Sequence, residues 1–273
     1  MNAILLLTFR PTQLLLSHYQ TFLRFGYDVY VVVDDIDFPF DEGQLQVVRV
    51  DDETCIKAGF RHLNPVIKTR SDCSAWDKAI YFLSHIKQDY AHVWLIEDDV
   101  FVPGGQALAR MDNKYGEVDI IGREFILNAS GEKSSWPHWQ RIPQDLLPLP
   151  WARCLVCAVR LSQRVIQETS ALVVAFNNHE NLSPVGKVRD AFKRWSGETK
   201  PRTSPFIEFI FHTTALHRGY PVVEAEELQG LRWRKDWSAA NFDDSCLYHP
   251  IKTQTNRLTQ DHPPYAKRAQ PAE

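Results

Sequence analysis

From His92 to Val102 the chain reads His-Val-Trp-Leu-Ile-Glu-Asp-Asp-Val-Phe-Val, an apolar run that ends in three consecutive carboxylates and then turns apolar again. Adjacent acids repel one another, and the end of a buried strand is a costly place for them without a positive partner. A hard divalent cation supplies that charge most simply, because it takes oxygen ligands. Alternate side chains of an extended chain point the same way, so Glu97 and Asp99 are predicted to face one side and Asp98 the other. The plain alternative is a charged loop after a strand.

The preceding segments repeat the pattern. Ala3 to Phe9, Asp28 to Val33, Gln46 to Val50 and Ala91 to Ile96 read as strands, and Val118 to Ile121 as another. The first four are followed by Arg10, Asp34-Asp35, Asp51-Asp52 and Glu97-Asp98-Asp99. Between them lie helical patterns. One opens after Pro11, carries Leu14, Leu15, Phe22 and Leu23, and stops at Gly26; a second opens at the capping box Ser74-Ala75-Trp76-Asp77; a third spans Pro103 to Tyr115 and closes at Gly116. Strand and helix in alternation predict an α/β fold with a parallel sheet covered by helices. In such sheets ligands gather beyond the carboxyl ends of the strands, where the acids lie.

The second half is less regular. Residues 129–151 read as a long loop, Cys154 to Arg160 as a strand, and Ser162 as the cap of a helix to about Val174. Ser183-Pro184 and Ser204-Pro205 read as helix starts with proline in the first turn, closed by Gly197 and Gly219. Residues 224–245 show no clear period, and from Thr253 the chain reads as a polar tail. With 273 residues, one large α/β domain has ample core.

Charge and cysteines narrow the function. A net charge of −3 gives no general attraction to nucleic acid or anionic membrane. Five irregularly spaced cysteines argue for reduced thiols, and the lone Cys154-x-x-Cys157 reads as buried strand rather than a zinc or redox pair. No signal segment and no run of about 20 apolar residues is evident, so a cytoplasmic location is expected.

The ordered set formed by Thr8-Phe9-Arg10, Asp34, Trp76 with Lys78, Glu97-Asp98-Asp99 and the late Tyr248-His249-Pro250-Ile251-Lys252 resembles the GT-A fold nucleotide-sugar glycosyltransferases. The acid triplet is the Glu-Asp-Asp variant of that family's DxD motif, and the pattern is loosely like the small glycosyltransferases of large algal viruses. The resemblance covers roughly residues 1–252, as a single domain with a nucleotide-sugar half (1–125) and an acceptor half (126–252), followed by a tail (253–273). It implies a Rossmann-like, mixed but mainly parallel central sheet flanked by helices. It also implies a UDP-sugar donor, a glycan or glycoconjugate acceptor, and Mn2+ or Mg2+. Asp99 matches the family's direct metal ligand, and His249 a late histidine that completes the shell. Glu97 and Asp98 match positions holding the ribose or the metal's waters, and Lys252 matches a phosphate contact. Thr8, Arg10 and Asp34 match the base and ribose site, with Lys78 pointing into the same region.

An inverting enzyme needs a carboxylate to deprotonate the acceptor. Glu208 is the first choice, in the first turn of an otherwise apolar helix, although the macrodipole alone favours an acid there. Glu224, Glu226, Glu227 and Asp236 are reserves. Arg232, Trp233 and Arg234 suggest a lid, and Trp136, Trp139 and Trp151 either shape an acceptor site or anchor their loop. Two other readings stay open: a sugar nucleotidyltransferase, and a non-catalytic nucleotide- or carbohydrate-binding module of the same fold. The former is disfavoured because Phe9-Arg10-Pro11-Thr12 has no glycine.

Overall fold

The computed structural model describes residues 1–64, 73–182, 203–233 and 243–250. They form a mixed α/β structure around a seven-stranded sheet in the order β3-β2-β1-β4-β6-β5-β7. The strands are β1 (Asn2–Thr8), β2 (Tyr27–Val33), β3 (Gln46–Val48), β4 (His92–Glu97), β5 (Ile120–Asn128), β6 (Trp151–Ser162) and β7 (Val222–Glu224). Six run the same way, and β6 alone runs against its neighbours β4 and β5. The expected fold class, α/β with a mainly parallel sheet flanked by helices, is the one observed.

Strand β1 lies mid-sheet and is covered on both faces, which is why it reads as an unbroken apolar run. Leu5 and Leu7 pack under α3 (Ala75–His85), α5 (Gln163–Leu182) and α6 (Ile207–Arg218). Ile4 and Leu6 pack under α1 (Gln13–Gln20) and α4 (Gly105–Lys114). The predicted capping box holds: Asp77 accepts the Ser74 N–H at 2.8 Å. Gly26, at φ 80°, takes the left-handed conformation that ends the first helical segment.

Several boundaries differ from expectation, each for a local reason. Strand β5 continues past Ile121 to Asn128 through two register irregularities, with Glu124 at φ 59°. Those irregularities break the alternating pattern that sequence reading relies on. The helix expected to end near Val174 runs to Leu182. Ser204 does not cap α6: its backbone N–H donates to the Arg141 carbonyl, Phe206 is the cap residue, and the helix begins at Ile207. Asp51 caps a short helix α2 (Asp52–Lys57) by accepting the Thr54 N–H at 2.8 Å. The expected helix at Ser183-Pro184, its stop at Gly197 and the tail from Thr253 lie outside the described residues. No described helix is long and apolar enough to cross a membrane.

Candidate functional site

The carboxyl ends of β1, β2 and β4 finish side by side. The Asp34 N–H donates to the Thr8 carbonyl at 2.9 Å, and the Asp98 N–H to the Leu7 carbonyl at 3.1 Å, so the ladder carries on into the acidic turns. The predicted alternation is found. Asp98 turns toward β1, where the Thr8 hydroxyl donates to its Oδ2 at 2.6 Å, while Glu97 and Asp99 gather together.

His249 reaches these acids by strand pairing. Its strand β9 (Tyr248–His249) lies parallel to β8 (Gly230–Leu231), and Tyr248 exchanges two backbone hydrogen bonds with Phe101, just past the acid triplet. His249 Nε2 therefore sits 3.3 Å from Asp99 Oδ1. One donor atom each from Glu97, Asp99 and His249 lies within 4.8 Å of the other two. Donors bound at about 2.1–2.4 Å to one ion stand at most roughly 4.8 Å apart, so the spacing fits a divalent cation. The donor set, two carboxylates and an imidazole, is one that a divalent cation can take. The structure thus brings together Asp99 and His249, the two residues expected to ligate a metal, with Glu97, which was expected to hold the ribose or the metal's waters.

The electrostatics point the same way. Burial, then the Asp99 charge, raises Glu97 to about 6. Burial, again with Asp99, raises Asp98 to about 7, and its Oδ1 is buried without a hydrogen-bond partner among the described residues. For His249 burial acts downward, but Cys157 and the hydrogen bond to Asp99 outweigh it and the group is raised. No lysine or arginine pairs with Glu97, Asp98 or Asp99 among the described residues.

Around this centre, Trp76 is buried in the helix–sheet interface and its indole N–H donates to Glu97 Oε1 at 2.7 Å. Lys78 is fully buried. Its ammonium donates to the Asp34 carbonyl at 2.6 Å and pairs with Asp52 at 2.8 Å and the Asp34 carboxylate at 3.4 Å. It thereby ties the end of β2 to α2 and α3. Burial lifts Asp34 to about 6 even with Lys78 beside it. Arg10 bonds Asp35 at 2.6 Å, its guanidinium lying over the rings of Phe9 and Phe38.

Glu208 occupies the first turn of α6, half-buried. Burial raises it to about 7; Arg153 opposes, and Glu97 and Glu124 add to the rise. It thus lies within electrostatic reach of the acid cluster. The reserve acids are engaged elsewhere: Glu224 with Arg123, and Glu226 and Glu227 with Lys114. The Arg232 N–H bonds the His249 carbonyl at 3.1 Å, and Trp233 beside it is exposed. Trp139 and Trp151 are core residues, whereas Trp136 is partly buried, stacked on Phe206, with Arg153 4.9 Å over its ring. Lys252, Arg234 and Asp236 lie outside the described residues.

Sequence reading did not anticipate the hydrogen bond from Trp76 to Glu97 or the Asp52–Lys78 pair. Only the second had a signal, since Asp52 follows a strand end that carries other acids. All five cysteines are free thiols, and Cys154 and Cys157 are buried in β6 as expected.

No family model matches the chain, and no curated protein matches it. Among solved structures, it is similar at 10% identity to the galactosyltransferase LgtC in complex with donor and acceptor sugar analogs, with a TM-score of 0.39 over 84% of this chain and 74% of that one. Mouse xyloside xylosyltransferase 1 in its apo form gives 10% identity and 0.39 over 88% and 89%. The 4-diphosphocytidyl-2C-methyl-D-erythritol synthase of Anaerococcus prevotii gives 10% and 0.36 over 82% and 88%. These are distant likenesses of overall shape.

Proposed function

We propose that this chain is a metal-dependent glycosyltransferase of the GT-A kind, moving a sugar from a UDP-sugar to a hydroxyl of a glycan or glycoconjugate with inversion. The observation that carries the reading is the partly buried grouping of Glu97, Asp99 and His249 at a sheet edge without a lysine or arginine partner among the described residues. These three side chains would hold Mn2+ or Mg2+. Such an ion, when bound, neutralises the diphosphate leaving group. Asp98, fixed by Thr8, with Arg10 just after β1 and Asp34 just after β2, would make the place for ribose and base. Lys78 would serve by setting Asp34, and Lys252 by facing the phosphates. Glu208 is the base. A carboxyl poised near 7 is partly ionised at neutral pH and basic enough to take a hydroxyl proton as the new bond forms.

The sugar nucleotidyltransferase reading keeps the same sheet and acids. It is disfavoured because the turn after β1 lacks the glycine-rich loop that class uses. Calorimetric titration of UDP separates the readings from the start. Binding in Mn2+ that EDTA and Asp99→Ala both abolish is the expected result. Absence of UDP binding in Mn2+ would sink the transferase reading. Retained UDP-sugar binding with unchanged turnover in Glu208→Gln would remove Glu208 from its role.

A further inference from the structure

Strand β6 outruns the strand it pairs with. The register sets Ala158 opposite Ile96, next to the end of β4 at Glu97, yet β6 begins at Trp151 and β5 runs beside it to Asn128. The two strands thus form an arm past the acid triplet. Arg153 lies on it, separated from Ala158 by roughly 16 Å of extended chain. The arm is fastened to α6, where the Thr213 hydroxyl accepts the Ala152 N–H at 3.0 Å and donates to the Ala152 carbonyl at 2.9 Å. It is also tied to the start of α6 through Trp136. Phe206, the cap residue two positions before Glu208, stacks on Trp136 with ring centroids 5.8 Å apart, and the Arg153 guanidinium lies 4.9 Å over that same ring. Arg153 itself is half-buried, and among the described residues it makes no hydrogen bond and no ion pair. Its neighbours on the sheet are different: Arg123 pairs with Glu224, and Arg160 with Asp112. The charge of Arg153 acts on Glu208, although the two are not paired.

We propose that Arg153 is a specificity-determining residue of the acceptor side, and that the acceptor carries a carboxylate or phosphate group beside the hydroxyl that receives the sugar. An aromatic ring attracts a guanidinium but takes up none of its five N–H donors. Held over Trp136, Arg153 keeps the edge of its guanidinium open, and that edge meets a carboxylate or phosphate two hydrogen bonds at a time. Half-burial has already removed part of its water, so an anion replaces hydration that is partly lost. The charges also fix the direction of binding. An acidic sugar finds a cation at Arg153 and a carboxyl at Glu208, so its charged group settles at the former and turns a neutral hydroxyl to the latter. The inference rests on the proposed transfer reaction, with Glu208 on its acceptor side.

Binding of the full chain, in Mn2+ and UDP, to immobilised glycans bearing uronates, sugar phosphates or no charge tests this without turnover. The wild type is expected to retain acidic glycans, the uronate and phosphate sets showing which anion is preferred, and to pass over neutral ones of the same backbone. Arg153→Gln should weaken that retention about 10- to 100-fold. Arg153→Lys keeps the charge but not the fork and should recover only part of it. UDP binding, measured by calorimetry on the same preparations, should be unchanged in both variants, which also shows that they fold. Equal retention of neutral and acidic glycans, retention of none, or undiminished retention by Arg153→Gln would overturn the proposal. A wild type that holds acidic glycans through Arg153 but binds no UDP would leave the anion site standing and overturn the transfer reaction instead.

Discussion

The two ends of β4 carry two acid clusters, each at least partly buried, that are balanced in opposite ways. At its amino end Asp112 accepts hydrogen bonds from Asn2, Tyr27, Trp94 and the fully buried Arg160, and Asp119 is bound by Ser162 and Arg164. Despite burial, Asp119 ends below the ordinary carboxylate range because Arg164 and Ser162 stabilise its charge. At the carboxyl end Glu97 and Asp98 are raised to about 6 and 7, and among the described residues only His249 and neutral donors answer them. The first cluster is complete within the protein and staples α4 and β6 to the sheet. The second, among the described residues, is short of positive charge at the edge where α/β sheets take their ligands. Partial burial is common to both; among the described residues an internal arginine answers the first cluster and none answers the second.

The sharpest way to break this contrast is to remove a cation from the balanced end. Arg160→Met leaves Asp112 buried and uncompensated and is expected to lower stability by about 3–5 kcal/mol in urea unfolding. Asp99→Asn, at the unbalanced end, should leave metal-free stability unchanged or higher. If both variants lost stability alike, the contrast would be wrong.

A catalytic effect of similar rank is expected at Glu208. Glu208→Gln should slow transfer by about 100- to 10,000-fold with UDP affinity preserved, as read from steady-state rates and calorimetry. In the wild type, the rate should climb with pH through about 7 as this carboxyl loses its proton.

The pH dependence of stability should divide the two clusters as well. Glu97 and Asp98 have folded-state pKa values above their ordinary 4.5 and 3.8. Their contribution is therefore full below about pH 4 and lost as pH rises through 6 to 7. Asp119, with a lowered value, contributes above the ordinary range and loses that contribution on acidification. Metal-free protein should then gain thermal stability when Mn2+ is added at pH 7.5 and gain much less at pH 5, by about 2.7 kcal/mol at one hundred times Kd in the former case. Equal gains at both pH values would contradict the account.

The smallest expected effect is at Trp76→Phe. It removes the indole donor to Glu97 and should cost about 1 kcal/mol in Mn2+ affinity, measured by calorimetry.

Much of this was legible in the sequence where signals are local. The unbroken apolar runs of β1 and β4, the Ser74–Asp77 box and the acids at successive strand ends all follow from short-range chemistry. So did the split of Glu97 and Asp99 from Asp98, because strand alternation has a period of two. What depends on distant pairing was not legible. His249 stood out only through a family resemblance, because its place follows from the bridge between Tyr248 and Phe101. The bulged extension of β5 disrupts the pattern that would reveal it, and α6 starts at Ile207 because the chain before it is held to Arg141 and Leu63.

Calorimetric titration of Mn2+ into the metal-free protein, without nucleotide, and into Asp99→Asn tests the central claim most directly. The account predicts one site in the wild type that is lost in the variant while the fold persists. Equal binding in both, or none in the wild type, would contradict it.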